Sequence, residues 1–188
     1  ALAYLSRDFL RWTRDGAKTH IFNPSGIALA VVSLVLIFGE MAHRTWGLEI
    51  SITHGIGTYS YETLFLAGLV VMWFFGVVLT TMSAVVVSIL LGWIYTSVTG
   101  VYLYVDTTIP IAVFLGMNLL ITDPVTSPRN NAGKIVFGAL YGASVFALYY
   151  VLRSIGRPAV GDDPGVNVAY FDKLLFVPAL NLLAVVYA

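Results

Sequence analysis

The amino-acid sequence predicts an all-α polytopic membrane protein, a bundle of about six transmembrane helices, and three observations lead to this fold class. Of its 188 residues, 59% are hydrophobic and only 11% are charged, with a mean hydropathy of +0.86. Soluble domains usually carry about 25% charged residues. No Lys or Arg occurs between Arg44 and Arg129. Several apolar runs approach or exceed the roughly 20 residues that cross a bilayer as a helix.

The same composition excludes several classes of function. Lys and Arg total 10 and Asp and Glu total 10, so the chain has no basic excess that would favour nucleic acid. The absence of cysteine excludes disulfides and thiolate metal sites within this sequence. The three histidines are far apart in sequence, and neither a Ser/His/Asp arrangement nor a phosphate-binding loop is present. We therefore predict no catalytic residues, no metal ligands and no nucleic-acid partner.

Residues 1–22 are predicted to form a juxtamembrane arm, and residues 23–188 the transmembrane helical domain. Within the arm, residues 4–20 interleave apolar and basic side chains at helical spacing. This pattern is typical of a short amphipathic helix on a membrane surface, and a solvated linker is the alternative. The sequence begins at Ala1 without an initiator Met, so we expect a processed or partial chain.

The predicted spans follow from helix-start signals and from length. Asn23 and Pro24 form a cap and first turn ahead of an apolar run. The apolar stretch 61–104 is too long for one span and is predicted to turn at Thr80–Ser83. Span 4 is short, and we expect it to be tilted, broken or buried in protein. The six predicted spans are 24–43, 62–80, 83–101, 108–122, 134–153 and one that begins near Asp172.

Basic residues give the predicted orientation. The arm and the loop 123–134 lie on the same side of a six-span chain and carry most of the Lys and Arg residues. The positive-inside rule places that side in the cytoplasm.

The most informative polar stretch follows span 4. Asp123 stands at the end of a membrane segment, where a carboxylate is costly unless it is paired or hydrated, and Lys134 is a candidate counter-charge. One interpretation is a loop that binds a polar or anionic cofactor group or lines an ion path. The other is a helix stop in which Asp123 caps backbone N–H groups. The predicted cofactor-binding residues are Thr122, Asp123, Thr126, Ser127 and Lys134.

A few other residues have two interpretations. Asn118, inside span 4, is expected to hydrogen-bond across helices, or else to line a pathway with Asp123. Glu62 suits the start of a helix and is otherwise an ion-path candidate; Asp106 is interpreted in the same way. Gly138 and Gly142 form a small-xxx-small pair that predicts close helix packing.

These motifs resemble a known family. The order and spacing of several short motifs are similar to those of one family of membrane proteins. These motifs are the Asn-Pro entry at residue 23, then Thr122-Asp123-Pro124-Val125, Gly133-Lys134 and Gly138, and the closing segment 171–183. That family contains the B subunit of the sodium-translocating NADH:quinone reductase and the D subunit of the Rnf electron-transport complex. The resemblance covers about residues 18–188.

The resemblance implies a fold like one half of a urea transporter. It also implies a flavin such as FMN, a quinone nearby, the lipid bilayer and other membrane subunits as partners, and electron transfer linked to ion movement. The location would be a bacterial inner membrane. The family's Ser-Gly-Ala-Thr type attachment motif is absent from residues 49–61, so the flavin is expected to be non-covalent, and neither Thr53 nor Thr58 is assigned to it. The alternative is a non-redox relative with a transporter-like or scaffolding role.

Overall fold

The computed structural model describes residues 1–39, 41, 44–45, 59–103, 113, 116–154 and 176–186. Most of the 47–60 loop, Asp106, the start of span 4 and nearly all of the 154–171 loop lie outside these residues. Within the described residues the fold is mainly helical, with one β-hairpin. Its helices are α1 (Leu2–Phe9), α2 (Pro24–Phe38), α3 (Ser60–Phe74), α4 (Val78–Thr99), α5 (Asn131–Ser154) and α6 (Phe176–Val186), and its strands are β1 (Arg11–Arg14) and β2 (Ala17–His20). A π-helical turn spans Gly116–Leu120.

The N-terminal arm differs from the prediction of one amphipathic helix over residues 4–20. The helix α1 ends at Phe9, and an antiparallel hairpin follows in which Arg11 pairs with His20 and Arg14 with Ala17. The two turn residues, Asp15 and Gly16, have φ angles of 50° and 78°. Positive φ at both central residues is typical of a type I′ turn, whose twist suits a hairpin. The all-α class is therefore corrected to mainly helical with one hairpin.

The start of α2 confirms the cap predicted from the sequence. Asn23 Oδ1 accepts hydrogen bonds from the backbone N–H groups of Ser25, at 2.9 Å, and Gly26, at 3.1 Å. Pro24 opens the helix, where its missing N–H costs nothing. The helix ends at Phe38, before the predicted end of span 1 at residue 43.

The turn between α3 and α4 lies earlier than predicted. Gly76, with φ +65°, closely follows the end of α3, and Val77 N–H donates to Met72 O at 2.9 Å. A left-handed residue is the usual way to end a helix, and glycine adopts it without strain. The prediction of a break at Thr80–Ser83 is wrong, because these residues lie inside α4, where Thr81 Oγ1 donates to Met117 O at 2.9 Å.

The closest helix packing is between α4 and α5, as the glycine pair predicts. A Cβ atom on Gly138 would lie 2.0 Å from Thr80 O, and one on Gly142 would lie 2.6 Å from Ala84 O. Only glycine permits such an approach of the two backbones. The buried apolar cluster extends from this contact to Met117 and to α6.

Within the described residues, two helices are long and apolar enough to cross a membrane, judged by length and composition. They are Val78–Thr99, with a hydropathy of 2.0, and Asn131–Val151, with 1.5. Large apolar side chains also face outward, and Phe74 and Val98 are 82% and 80% exposed. Soluble monomers rarely expose extensive apolar surface. These observations support a membrane location.

Candidate functional site

The loop that joins the π-helical turn to α5 is organised around the carboxylate of Asp123. Its Oδ1 accepts a hydrogen bond from Val125 N–H, and its Oδ2 accepts one from Thr126 Oγ1, both at 3.1 Å. The Asp123 side chain is only 17% exposed. These contacts confirm the capping interpretation, in which Asp123 fixes the backbone that follows it.

The partner of Asp123 in the folded chain is His20, at the end of β2. His20 Nε2 lies 3.1 Å from Asp123 Oδ2, and the histidine side chain is 19% exposed. Lys134, the counter-charge expected from the sequence, makes no ion pair with Asp123. Its Nζ lies instead 3.8 Å from the position that a Cβ on Gly76 would take, beside the α3–α4 turn. Sequence reasoning missed His20 because it interpreted the hairpin that presents this residue as helix.

The hairpin is also attached to the loop through arginine. Arg14 Nη1 donates to Val125 O at 3.1 Å and to Ser127 O at 3.5 Å. Arg129 forms an ion pair with Asp15 in the hairpin turn. The Asp15-Gly16 dipeptide is a strong hairpin signal, and recognising it would have predicted the hairpin of the arm, though not its contact with this loop.

The remaining predicted residues use their hydroxyls within the loop. Thr122 Oγ1 donates to Asn118 O at 2.7 Å, and Ser127 Oγ donates to Ile121 O at 3.0 Å. Thr126 and Ser127 are 6% and 2% exposed. These hydrogen bonds hold the loop together, so few polar groups of these side chains are left to bind a flavin. Cofactor binding by these residues stays a prediction.

The π-helical turn forms the described end of predicted span 4. Ile121 N–H donates to Gly116 O at 3.3 Å, the five-residue spacing of a π-helix. The Met117 carbonyl accepts a hydrogen bond from the Thr81 hydroxyl, and the Asn118 carbonyl accepts one from the Thr122 hydroxyl. Irregular backbone at membrane depth needs such internal partners, because lipid offers none. Asn118 itself is 6% exposed.

Two asparagines join three distant segments beside this turn. Asn23 N–H donates to Asn181 Oδ1 at 3.0 Å, and Asn23 Nδ2 donates to Leu120 O at 2.8 Å. The start of α2 and the helix α6 also approach closely, since a Cβ on Gly26 would lie 2.8 Å from Val177 Cγ1. The site is thus a polar junction of arm, loop and two helices.

Comparison with known proteins finds relatives that match part of the chain. The chain is 37% identical over 70 residues to the D subunit of the ion-translocating oxidoreductase complex of Cronobacter sakazakii. It is 36% identical over 70 residues to the proteins of the same name from Salmonella arizonae and Salmonella newport. The aligned stretch is 37% of this chain but only 18% of the length of these curated relatives.

No family model matches the chain, and no solved structure matches it. The predicted resemblance to the D subunit is therefore supported over part of the chain. The resemblance to the B subunit of the NADH:quinone reductase, and the urea-transporter-like fold, stay predictions.

Proposed function

We propose that this chain is a membrane subunit, or part of one, of an ion-translocating oxidoreductase complex. The observation that carries the proposal is the 37% identity over 70 residues to the D subunit of such a complex. The mainly helical fold and its two apolar helices of sufficient length are in keeping with a membrane subunit. The partners are then the bilayer and the other membrane subunits.

The proposal includes an orientation. About six spans would place the arm and the loop 123–134 on the cytoplasmic side of a bacterial inner membrane. The pairing of His20 with Asp123 and the bonds from Arg14 to the loop support a shared side for the two segments. The shorter apolar helices Pro24–Leu36, Glu62–Phe74 and Val177–Val186 would supply further spans, tilted or packed within protein.

The role of the polar junction in this proposal is structural. It fixes the arm on the cytoplasmic end of the bundle, and it satisfies part of the irregular backbone of span 4. A non-covalent flavin or a quinone belongs to the proposal through the family resemblance only. The loop is assigned no electron-transfer step, because its hydroxyls and its carboxylate bind one another and the backbone.

A second candidate is a non-redox relative that keeps the fold as a scaffold or transporter-like subunit. The hydroxyls of Thr126 and Ser127 form hydrogen bonds within the loop, which favours this second candidate. The missing attachment motif in residues 49–61 also favours it. The visible absorption spectrum of the purified protein separates the two. Flavin absorbance that is lost in Asp123→Ala but kept in Asp8→Ala supports the redox role, and a colourless, fully assembled protein supports the scaffold.

The proposal as a whole is tested by purifying the tagged full-length protein from its own membranes in a mild detergent. We expect the other subunits of an ion-translocating oxidoreductase to co-purify and to be identified by mass spectrometry. Purification of the chain alone, from membranes in which the rest of the complex is intact, would contradict it.

A further inference from the structure

A cavity of about 540 Å³ lies beside the polar junction, between the hairpin turn, the start of α5 and the helix α6. Its polar end is formed by Arg14, Asp15 and Arg129. Its apolar wall includes Val136 and Leu140 of α5 and Leu183 of α6. None of the predicted cofactor-binding residues lines this cavity, although Pro128, Arg129 and Asn130 of the same loop do.

The charged end of the cavity has an excess of one positive charge. Arg129 is paired with Asp15, which leaves Arg14 without an acidic partner among the described residues. Only Nη1 of Arg14 is bonded to the loop carbonyls; its other two guanidinium nitrogens have no hydrogen-bond acceptor in the described part of the chain. Guanidinium groups bind phosphate oxygens well, because their planar donors match the geometry. A group with one negative charge is the complementary ligand.

The apolar wall runs from the charged end along a helix that is long enough to span a membrane. Val136 and Leu140 are separated by one turn of α5, and their side chains are 56% and 42% exposed. At 1.5 Å per residue, Leu140 lies about 10 Å further along the helix than Gly133 at the polar end. The cavity thus has a charged mouth at the helix start and an apolar side that continues towards the expected membrane interior.

We propose that this cavity binds a phospholipid with an anionic headgroup. Arg14 and Arg129 hold the phosphodiester at the membrane surface, and an acyl chain lies against Val136, Leu140 and Leu183. The phosphodiester of an anionic lipid carries one negative charge with no headgroup cation to cancel it, which complements the excess positive charge of the polar end, and the acyl chain accounts for the exposed apolar wall. The inference requires the membrane location but no redox role.

The test is a binding titration of the purified full-length protein in detergent, followed by native mass spectrometry. Its three probes are short-chain phosphatidylglycerol, short-chain phosphatidylcholine and inorganic phosphate. We expect phosphatidylglycerol to bind about tenfold more tightly than phosphatidylcholine, because the choline cation of the latter cancels the charge of its phosphodiester and is repelled by Arg14 and Arg129. Equal affinity for the two lipids would overturn the proposal, and so would phosphate that binds as tightly as phosphatidylglycerol.

Two pairs of variants locate the lipid. Arg129→Gln is expected to weaken phosphatidylglycerol binding about tenfold, and its control is Arg11→Gln, which removes a similar exposed arginine paired with Asp8. Val136→Asn is expected to weaken it severalfold, and its control is Val151→Asn, on the same helix, outside the cavity and 50% exposed. Phosphatidylglycerol binding that is unchanged in both Arg129→Gln and Val136→Asn would contradict the proposal that the lipid binds in this cavity. Lipid binding by a protein that purifies without the rest of a complex would support this inference and contradict only the proposed function.

Discussion

At the scale of single residues, the contact between His20 and Asp123 shows what sequence reasoning reaches and what it misses. The cap at Asn23 and the turn at Asp123 are local, since donor and acceptor lie two or three residues apart, and both were predicted. His20 and Asp123 are separated by 103 positions. Such a partner depends on the path of the chain between them, which residue patterns do not specify. The interpretation of Lys134 as the counter-charge failed for this reason.

The first prediction concerns the carboxylate of Asp123. Asp123→Ala leaves the Val125 N–H, the Thr126 hydroxyl and the His20 ring without their acceptor in a partly buried loop. We expect a loss of about 1–3 kcal/mol in the free energy of unfolding, measured by thermal unfolding in detergent. Asp8→Ala is the control, because Asp8 is exposed and pairs only with Arg11, and a loss of at most about 1 kcal/mol is expected there. Equal losses in the two variants would contradict this role of Asp123.

At the scale of elements, apolar runs and their lengths predicted most helices. Glycines determine where α3 ends and how closely α4 and α5 pack. The runs predicted α5 to within three residues at each end, whereas the predicted end of α2 and the predicted start of α4 were each five residues too late. The α3–α4 turn was misplaced because threonines look like a polar break, whereas the left-handed Gly76 makes the turn. The hairpin in the arm was missed because basic and apolar residues also fit a helical spacing. Its Asp15-Gly16 turn was the overlooked signal.

The second prediction tests the packing of α4 against α5. Gly138→Ala places a Cβ atom onto the Thr80 carbonyl, and such overpacking costs about 1–3 kcal/mol. Gly92→Ala in α4 is the control, since a Cβ there meets no atom within 4 Å. Alanine favours a helix over glycine by up to about 1 kcal/mol, so Gly92→Ala should be neutral or stabilising. Thermal unfolding of both variants checks the pair, and a tolerated Gly138→Ala would show that the two helices do not approach this closely.

The third prediction tests the hairpin of the arm. Gly16 has φ +78° with open space around it, so Gly16→Val introduces only backbone strain, of roughly 1 kcal/mol or more. We expect faster proteolysis after the basic residues of the arm, because the strands β1 and β2 open more often. Thr13→Val, a substitution within β1, should leave the rate unchanged, since β-branched residues favour strands. Cleavage that is no faster in Gly16→Val than in the parent chain would argue against the hairpin.

At the scale of the whole molecule, the chain is mainly helical and many of its large apolar side chains face outward. Its arm is joined to one polar loop by hydrogen bonds and an ion pair. The relatives that it matches are aligned over only 18% of their own length. Composition supports the membrane class, because few charges and long apolar runs suit the interior of a bilayer. The number of spans depends on how the short helices tilt and pack, which composition does not determine.

The fourth prediction tests the orientation, and the absence of cysteine from the sequence makes it direct. Single cysteines at Lys18 in the arm, at Asn130 in the loop and at Tyr102 after α4 are reacted in whole cells with a membrane-impermeant maleimide. With six spans and a cytoplasmic arm, Tyr102→Cys should react in intact cells. Lys18→Cys and Asn130→Cys should react only after permeabilisation. A different side for Lys18→Cys and Asn130→Cys would contradict the contact between arm and loop.

If the chain serves an ion-translocating oxidoreductase complex, electron-driven ion uptake into inverted membrane vesicles should depend on it. The vesicles come from cells that lack the gene, and from the same cells complemented with the parent chain. We expect uptake on addition of electron donor to be lost in the deletion and restored by the parent chain, with passive ion leakage equal in the two preparations. Uptake that persists undiminished without the chain would contradict the account.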